Sequence, residues 1–130
     1  MPRFVLLRHV TPPGSPRASH WDFMVERGAA LATWAVEELP SAWRRGLGED
    51  ATAEAEAVRA LRLPDHRLAY LEYEGPVSDD RGVVSRTDGG ACTVLQWSER
   101  SVLLLLAGER LVGRVALQLA EDGHWSLRAE

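Results

Sequence analysis

The chain carries a histidine and an aspartate two residues apart, His20 and Asp22 in Ala18-Ser19-His20-Trp21-Asp22-Phe23, and a further histidine at position 9. On a β-strand, residues i and i+2 share a face, with Cα atoms roughly 6.5–7 Å apart. Two side chains at that spacing can converge on one ion. His9 closes a preceding apolar stretch that can pair alongside, and would supply a third ligand. Two imidazoles and a carboxylate that leave coordination positions open are a common catalytic arrangement for a divalent transition metal. His-x-Asp suits equally well two polar residues on the solvated face of a half-buried strand. Spacing alone leaves both readings open.

The remaining reactive side chains are less informative. His66 falls in Leu63-Pro64-Asp65-His66, where Pro and Asp predict a turn. His124 follows Gly123 in what reads as a terminal hairpin and is expected at the surface. Cys92, the one cysteine, has no CxxC companion and is expected to be a buried small hydrophobe.

The elements that must position these residues read mostly as short strands. Phe4 to His9 is the first. His20 to Glu26 alternates Trp21, Phe23 and Val25 against His20, Asp22, Met24 and Glu26. Leu31 to Val36 follows and ends at Glu37-Glu38-Leu39-Pro40. The second half reads as a meander over Gly82–Thr87, Ala91–Trp97, Ser101–Ala107, Arg110–Leu119 and His124–Ala129. Its predicted turns are Asp88-Gly89-Gly90, Ser98-Glu99-Arg100, Gly108-Glu109 and Glu121-Asp122-Gly123. Asp50 to Arg62 has strong helix formers and an Asp50 N-cap, but fits a strand across Val58 to Leu63 equally well. So many short strands in so small a chain predict an all-β, mainly antiparallel, closed or nearly closed barrel with one or two short helices, because closure removes exposed edges.

At 130 residues the chain is expected to form a single domain spanning residues 1–130. Its net charge of −4 argues against binding nucleic acid through a broad basic surface and leaves room for a local phosphate site. The longest apolar run, Val102 to Ala107, is too short to cross a bilayer, and the N-terminus lacks a cleavage signal. The single cysteine rules out an internal disulfide and fits a reducing compartment, so the chain is expected to be cytoplasmic; it is also expected to be a monomer.

Five stretches, taken in order, resemble a known family. They are His9 with His20-Trp21-Asp22-Phe23-Met24; Thr33-Trp34-Ala35-Val36-Glu37-Glu38-Leu39-Pro40; Pro64-Asp65-His66 through Tyr70 to Glu74-Gly75; Gly89-Gly90-Ala91-Cys92-Thr93-Val94-Leu95-Gln96-Trp97; and Gly108-Glu109-Arg110-Leu111-Val112-Gly113 through Leu117. Together they resemble the 3′-phosphoesterase domain found at the N-terminus of bacterial DNA ligase D, which also occurs as a stand-alone protein. The resemblance implies a compact β-barrel with a manganese-dependent site, zinc or cobalt being alternatives. It implies removal of a terminal ribonucleoside and then the 3′-phosphate from DNA ends, with His9, His20 and Asp22 as metal ligands and His66 and Tyr70 in the active site. Nucleic-acid 3′ ends are then the expected partners, alongside a DNA ligase or end-binding repair proteins.

The chain departs from that family at its phosphate-gripping positions. Met24 stands where the family has an arginine, Glu38 where it has a lysine, and Leu7 where it has a glutamine. A further family arginine falls near Val58, with Arg59 and Arg62 close but out of register. A charge-assisted bond to a phosphate oxygen contributes about 1.5–3 kcal/mol, so such losses matter. Arg17, Arg62 and Arg81 are the expected substitutes, with Arg8 and Arg86 as further candidates. Two alternatives follow: a catalytically degenerate barrel that binds metal or nucleic-acid ends, or an interaction module with Trp21, Trp34, Trp43 and Trp97 as core or docking residues.

Overall fold

The computed structural model describes residues 1–50 and 57–130. Its strands are β1 (Arg3–Val10), β2 (His20–Arg27), β3 (Ala30–Val36), β4 (Ala57–Arg67), β5 (Gly75–Pro76), β6 (Val83–Trp97), β7 (Ser101–Gly108), β8 (Val112–Leu119) and β9 (Trp125–Ala129). All pair antiparallel in the order β1-β2-β3-β4-β9-β8-β7-β6-β5, and a β1–β6 pairing closes eight of them into a barrel. The expected all-β barrel is what forms. Among the described residues one short helix, α1 (Ser41–Gly46), starts after Pro40, and a single 3-10 turn spans Leu68–Leu71. Among the described residues no helix is long and apolar enough to cross a membrane.

Strand alternation sorts the apolar residues into two sets. Phe4, Leu6, Phe23, Val25, Trp34, Val36, Leu104, Leu117 and Leu127 point inward and form the barrel core, joined by Trp43 from α1. Val5, Leu7, Met24, Leu31 and Val84 face outward and form a second cluster with Leu71 of the 3-10 turn. That covering layer explains why β1 is apolar on both faces: Phe4, Val5, Leu6 and Leu7 are all buried.

Two local expectations need correction. Asp88-Gly89-Gly90 is no hairpin turn; it lies inside the 15-residue β6, which pairs with β1 along one edge and with β7 along the other. The glycines are needed for close approach, since a Cβ at Gly90 would stand 2.7 Å from the Ala107 carbonyl oxygen. Asp88 is engaged elsewhere, its Oδ2 accepting the Leu111 N–H at 2.8 Å and the Arg110 N–H at 3.2 Å. Second, Pro64-Asp65 does not turn the chain. Leu31 pairs with His66 and Thr33 with Leu63, so β4 carries an extra residue there and bulges. A bulge tolerates proline, and β4 pairs with β9 only over Ala57–Ala60, leaving no partner on that edge for Pro64 to offend. Of the two alternatives for Asp50 to Arg62, the strand across Val58 to Leu63 is the one that forms, within β4, while 51–56 lie outside the described residues.

Candidate metal centre and its cavity

The β1–β2 register makes His9 and His20 direct cross-strand partners and sets Leu7 opposite Asp22. His9, His20 and Asp22 therefore share the outward face, where the two imidazole centroids lie 4.7 Å apart. Their potential ligand atoms all fall within 4.8 Å of one another. The face is not solvated: His20 and Asp22 are 2% and 3% exposed. Two polar residues on a wet strand would not look like this.

The hydrogen bonds orient each imidazole. His20 Nδ1 lies 2.9 Å from the Ala18 carbonyl oxygen, which can only accept, so in the neutral ring Nδ1 carries the proton and Nε2 is bare. His9 Nε2 donates likewise to the Arg81 carbonyl oxygen at 2.7 Å, which leaves Nδ1 bare in the neutral ring. Both free nitrogens face the same carboxylate: His20 Nε2 is 3.2 Å from Asp22 Oδ1, and His9 Nδ1 is 3.4 Å from Asp22 Oδ2. Among the described residues, His20 Nε2 and Asp22 Oδ1 are buried without a hydrogen-bond partner, the short distance between them lacking hydrogen-bond alignment. Lone pairs and an anion turned toward one point need a positive charge there. The donor set fits a divalent transition metal, each histidine being held from behind by a backbone carbonyl. Without one, protons do part of that work. Burial pushes the Asp22 carboxyl up, but His20 and His9 outweigh it and bring it down to about 2. The Asp22 carboxylate in turn holds His9 above its usual value, against the opposing effect of burial.

The three residues line a cavity of about 520 Å³ together with His66, Tyr70, Arg17, Arg81 and Met24. His66 reaches it through the bulge in β4. The extra residue reverses the alternation, so that His66 follows Leu63 on the outward face beside Leu31. Its Nδ1 donates to the Pro64 carbonyl oxygen at 2.9 Å, and its ring meets that of Tyr70 edge-on, centroids 5.7 Å apart. The five residues that the resemblance implies as metal ligands and active-site groups, His9, His20, Asp22, His66 and Tyr70, thus share one cavity.

The cations divide differently. Arg17 and Arg81 line the cavity; the Arg81 guanidinium is tied to Ser78 through the carbonyl at 2.8 Å and the hydroxyl at 3.1 Å. Arg62 does not join them. It precedes Leu63 on β4 and so takes the opposite face, its guanidinium 4.6 Å from the centre of the Trp34 ring. Arg8 lies over Trp21, and Arg86 donates to the Leu71 carbonyl oxygen, so each has a structural occupation. Met24 is 1% exposed and belongs to the outer apolar cluster, on the cavity wall at the position where the resemblance implied an arginine. His124 is half-exposed and meets Arg59.

Sequence reasoning missed part of the wall. Thr11, residues 12–16 of the loop before Arg17, Asp79 and Asp80 all line the cavity. Asp79 and Asp80 have φ values of 63° and 54°, the left-handed conformation that aspartate tolerates better than most residues. The Asp-Asp pair just before Gly82 was the available signal.

A closed antiparallel barrel with a His–His–Asp cluster on its outer wall, beneath a loop-walled cavity, defines the class of protein. Comparison then gives the family: the DNA ligase D 3′-phosphoesterase domain matches residues 14–119, and the chain belongs to that family. His20, Asp22, His66 and Tyr70 fall inside the matched span; His9 precedes it and is placed by the β1–β2 pairing. No curated protein sequence matches the chain.

Proposed function

We propose that the chain is a divalent-metal-dependent phosphoesterase acting at nucleic-acid 3′ ends, removing a terminal ribonucleoside and 3′-phosphate during end repair. The observation that carries the proposal is the pair of bare imidazole nitrogens turned on one buried carboxylate. His9, His20 and Asp22 would hold the ion, with manganese the first choice and zinc or cobalt compatible with the same donors. When bound, such an ion polarises a phosphoryl oxygen and lowers the pKa of a coordinated water. His66 supports proton transfer, because its Nδ1–H is committed to Pro64 and Nε2 remains to bond a phosphate oxygen or protonate a leaving group. Tyr70 holds that ring edge-on and presents a hydroxyl to the same cavity. Arg17 and Arg81 meet the phosphate charge at the rim, and Arg62 has no part in it. A DNA ligase or an end-binding repair protein would be the natural partner of a monomeric single domain with this activity.

The test is direct. With manganese and a primer-template ending in a 3′-phosphate or 3′-ribonucleotide, the protein is expected to release product, and His20→Ala to lower the rate by at least about a hundredfold, as loss of a metal ligand or its support does. Turnover unchanged in His20→Ala overturns the assignment. Met24 favours one second reading, a barrel that binds metal or a nucleic-acid end without turnover, because an apolar side chain fills a wall where a cation is wanted. That protein would bind manganese and release nothing.

A further inference from the structure

The β2–β3 hairpin, the β6–β7 turn and the β8–β9 turn meet at the end of the barrel opposite α1, which lies on the β3–β4 connection. There a second cavity, of about 450 Å³, is lined by Trp34, Trp97, Trp125, Arg62, Ser98 and Glu99. Trp34, fully buried, has ring centroids 5.9 Å from Trp97 and 5.5 Å from Trp125. Its indole N–H is buried with no acceptor among the described residues. Arg62 lies 4.6 Å over Trp34, and Arg27 4.1 Å over Trp97.

These features narrow the ligand. Two guanidiniums already occupy indole faces, so a further cation is disfavoured. A purely apolar guest would gain nothing from Ser98 and Glu99 at the exposed rim. A flat neutral ring with polar edges, attached to an anionic backbone, uses what is accessible: its face stacks on the half-buried Trp97 indole, its edge bonds Ser98 and Glu99 at the rim, and its phosphate meets Arg27 and Arg62. We propose that this basin binds an unpaired nucleobase of a single-stranded nucleic acid. The inference requires neither metal nor turnover. It also gives the basin a place beside the metal cavity: consecutive residues Arg62 and Leu63 line the two, and between them runs the stretch of β4 beyond Ala60 that pairs with β3 and not with β9.

Titration of intrinsic tryptophan fluorescence with a short single-stranded oligodeoxynucleotide, set against the same backbone made of abasic residues, tests the proposal. The base-bearing strand is expected to quench and bind more tightly. Half-buried Trp97 can be changed without opening the core, and Trp97→Leu is expected to weaken binding about tenfold, with Trp97→Phe retaining most of it. Binding is read without divalent metal and turnover is read with manganese, so loss of phosphoesterase activity and loss of base binding are separately visible. Circular dichroism melting verifies that each variant is folded. Equal affinity for the abasic strand, or unchanged binding by folded Trp97→Leu, overturns the inference.

Discussion

Asp22 sets the charge balance of the cavity. Its carboxylate sits buried between two histidines whose outer nitrogens are occupied by the Ala18 and Arg81 carbonyls, so neither ring can turn away without breaking a bond. Cys92 shows the opposite kind of burial. It is 1% exposed in the barrel core, and burial, aided by the nearby Glu26 carboxylate, pushes its thiol up to about 11. At pH 8 roughly one thiol in a thousand is ionised, and that one is out of reach. A maleimide or disulfide reagent is therefore expected to leave the folded protein unlabelled and to modify one thiol per chain after denaturation; rapid native-state labelling would contradict the packing. Much at this scale was legible from residue types and spacing: the His20–Asp22 face, and Cys92 as a small core hydrophobe. Less legible was Arg62. Its closeness to Val58, where the resemblance puts an arginine, suggested the phosphate site, yet strand alternation alone sends it to the other side of β4.

At the scale of elements, the barrel's corner depends on β6 bending through Asp88-Gly89-Gly90. A side chain at Gly90 would press on the Ala107 carbonyl and on Gly108 Cα, 2.7 and 2.8 Å from the new Cβ. Gly90→Ala should destabilise by about 1–3 kcal/mol through overpacking. Asp88→Ala should cost a similar amount, about 1–3 kcal/mol, since it strips the Leu111 and Arg110 N–H groups of their acceptor. Urea melts of the two variants check both values, and a midpoint equal to the parent's would remove this account of the corner. The sequence displayed these residues as turn chemistry, which local preference cannot distinguish from a bend within one long strand; the difference lies in partners on both edges, far away in the chain. The face that His66 takes was hidden for a related reason. Proline and aspartate signal an interruption, and only the pairing with β3 reveals that the interruption is one extra residue.

For the whole molecule, barrel closure joins β1 to β6 across more than half the chain, and the metal candidates sit on the wall this closure braces. An ion bound by the folded state alone stabilises it by about 2.7 kcal/mol at a hundred times its dissociation constant. Manganese is accordingly expected to raise the melting temperature by several degrees. His9→Ala and His20→Ala should each abolish the rise, a sharp test for His9 because it precedes the matched segment. A shift that survives both substitutions would place the ion elsewhere. The all-β class and its closure followed from strand count and length; the outer apolar layer did not, because covering β1 on both sides takes a 3-10 turn that no periodicity announced.

The cluster sits on the barrel's outside, whereas the hydrophobic interior belongs to the alternate residues of the same strands. Phe4, Leu6, Phe23 and Val25 can be exchanged for other apolar groups of matched volume with the reactive surface left as it is. Robustness and reactivity are thereby separable by residue parity, and an engineer could harden this scaffold from within and retune its chemistry from without, one strand serving both ends.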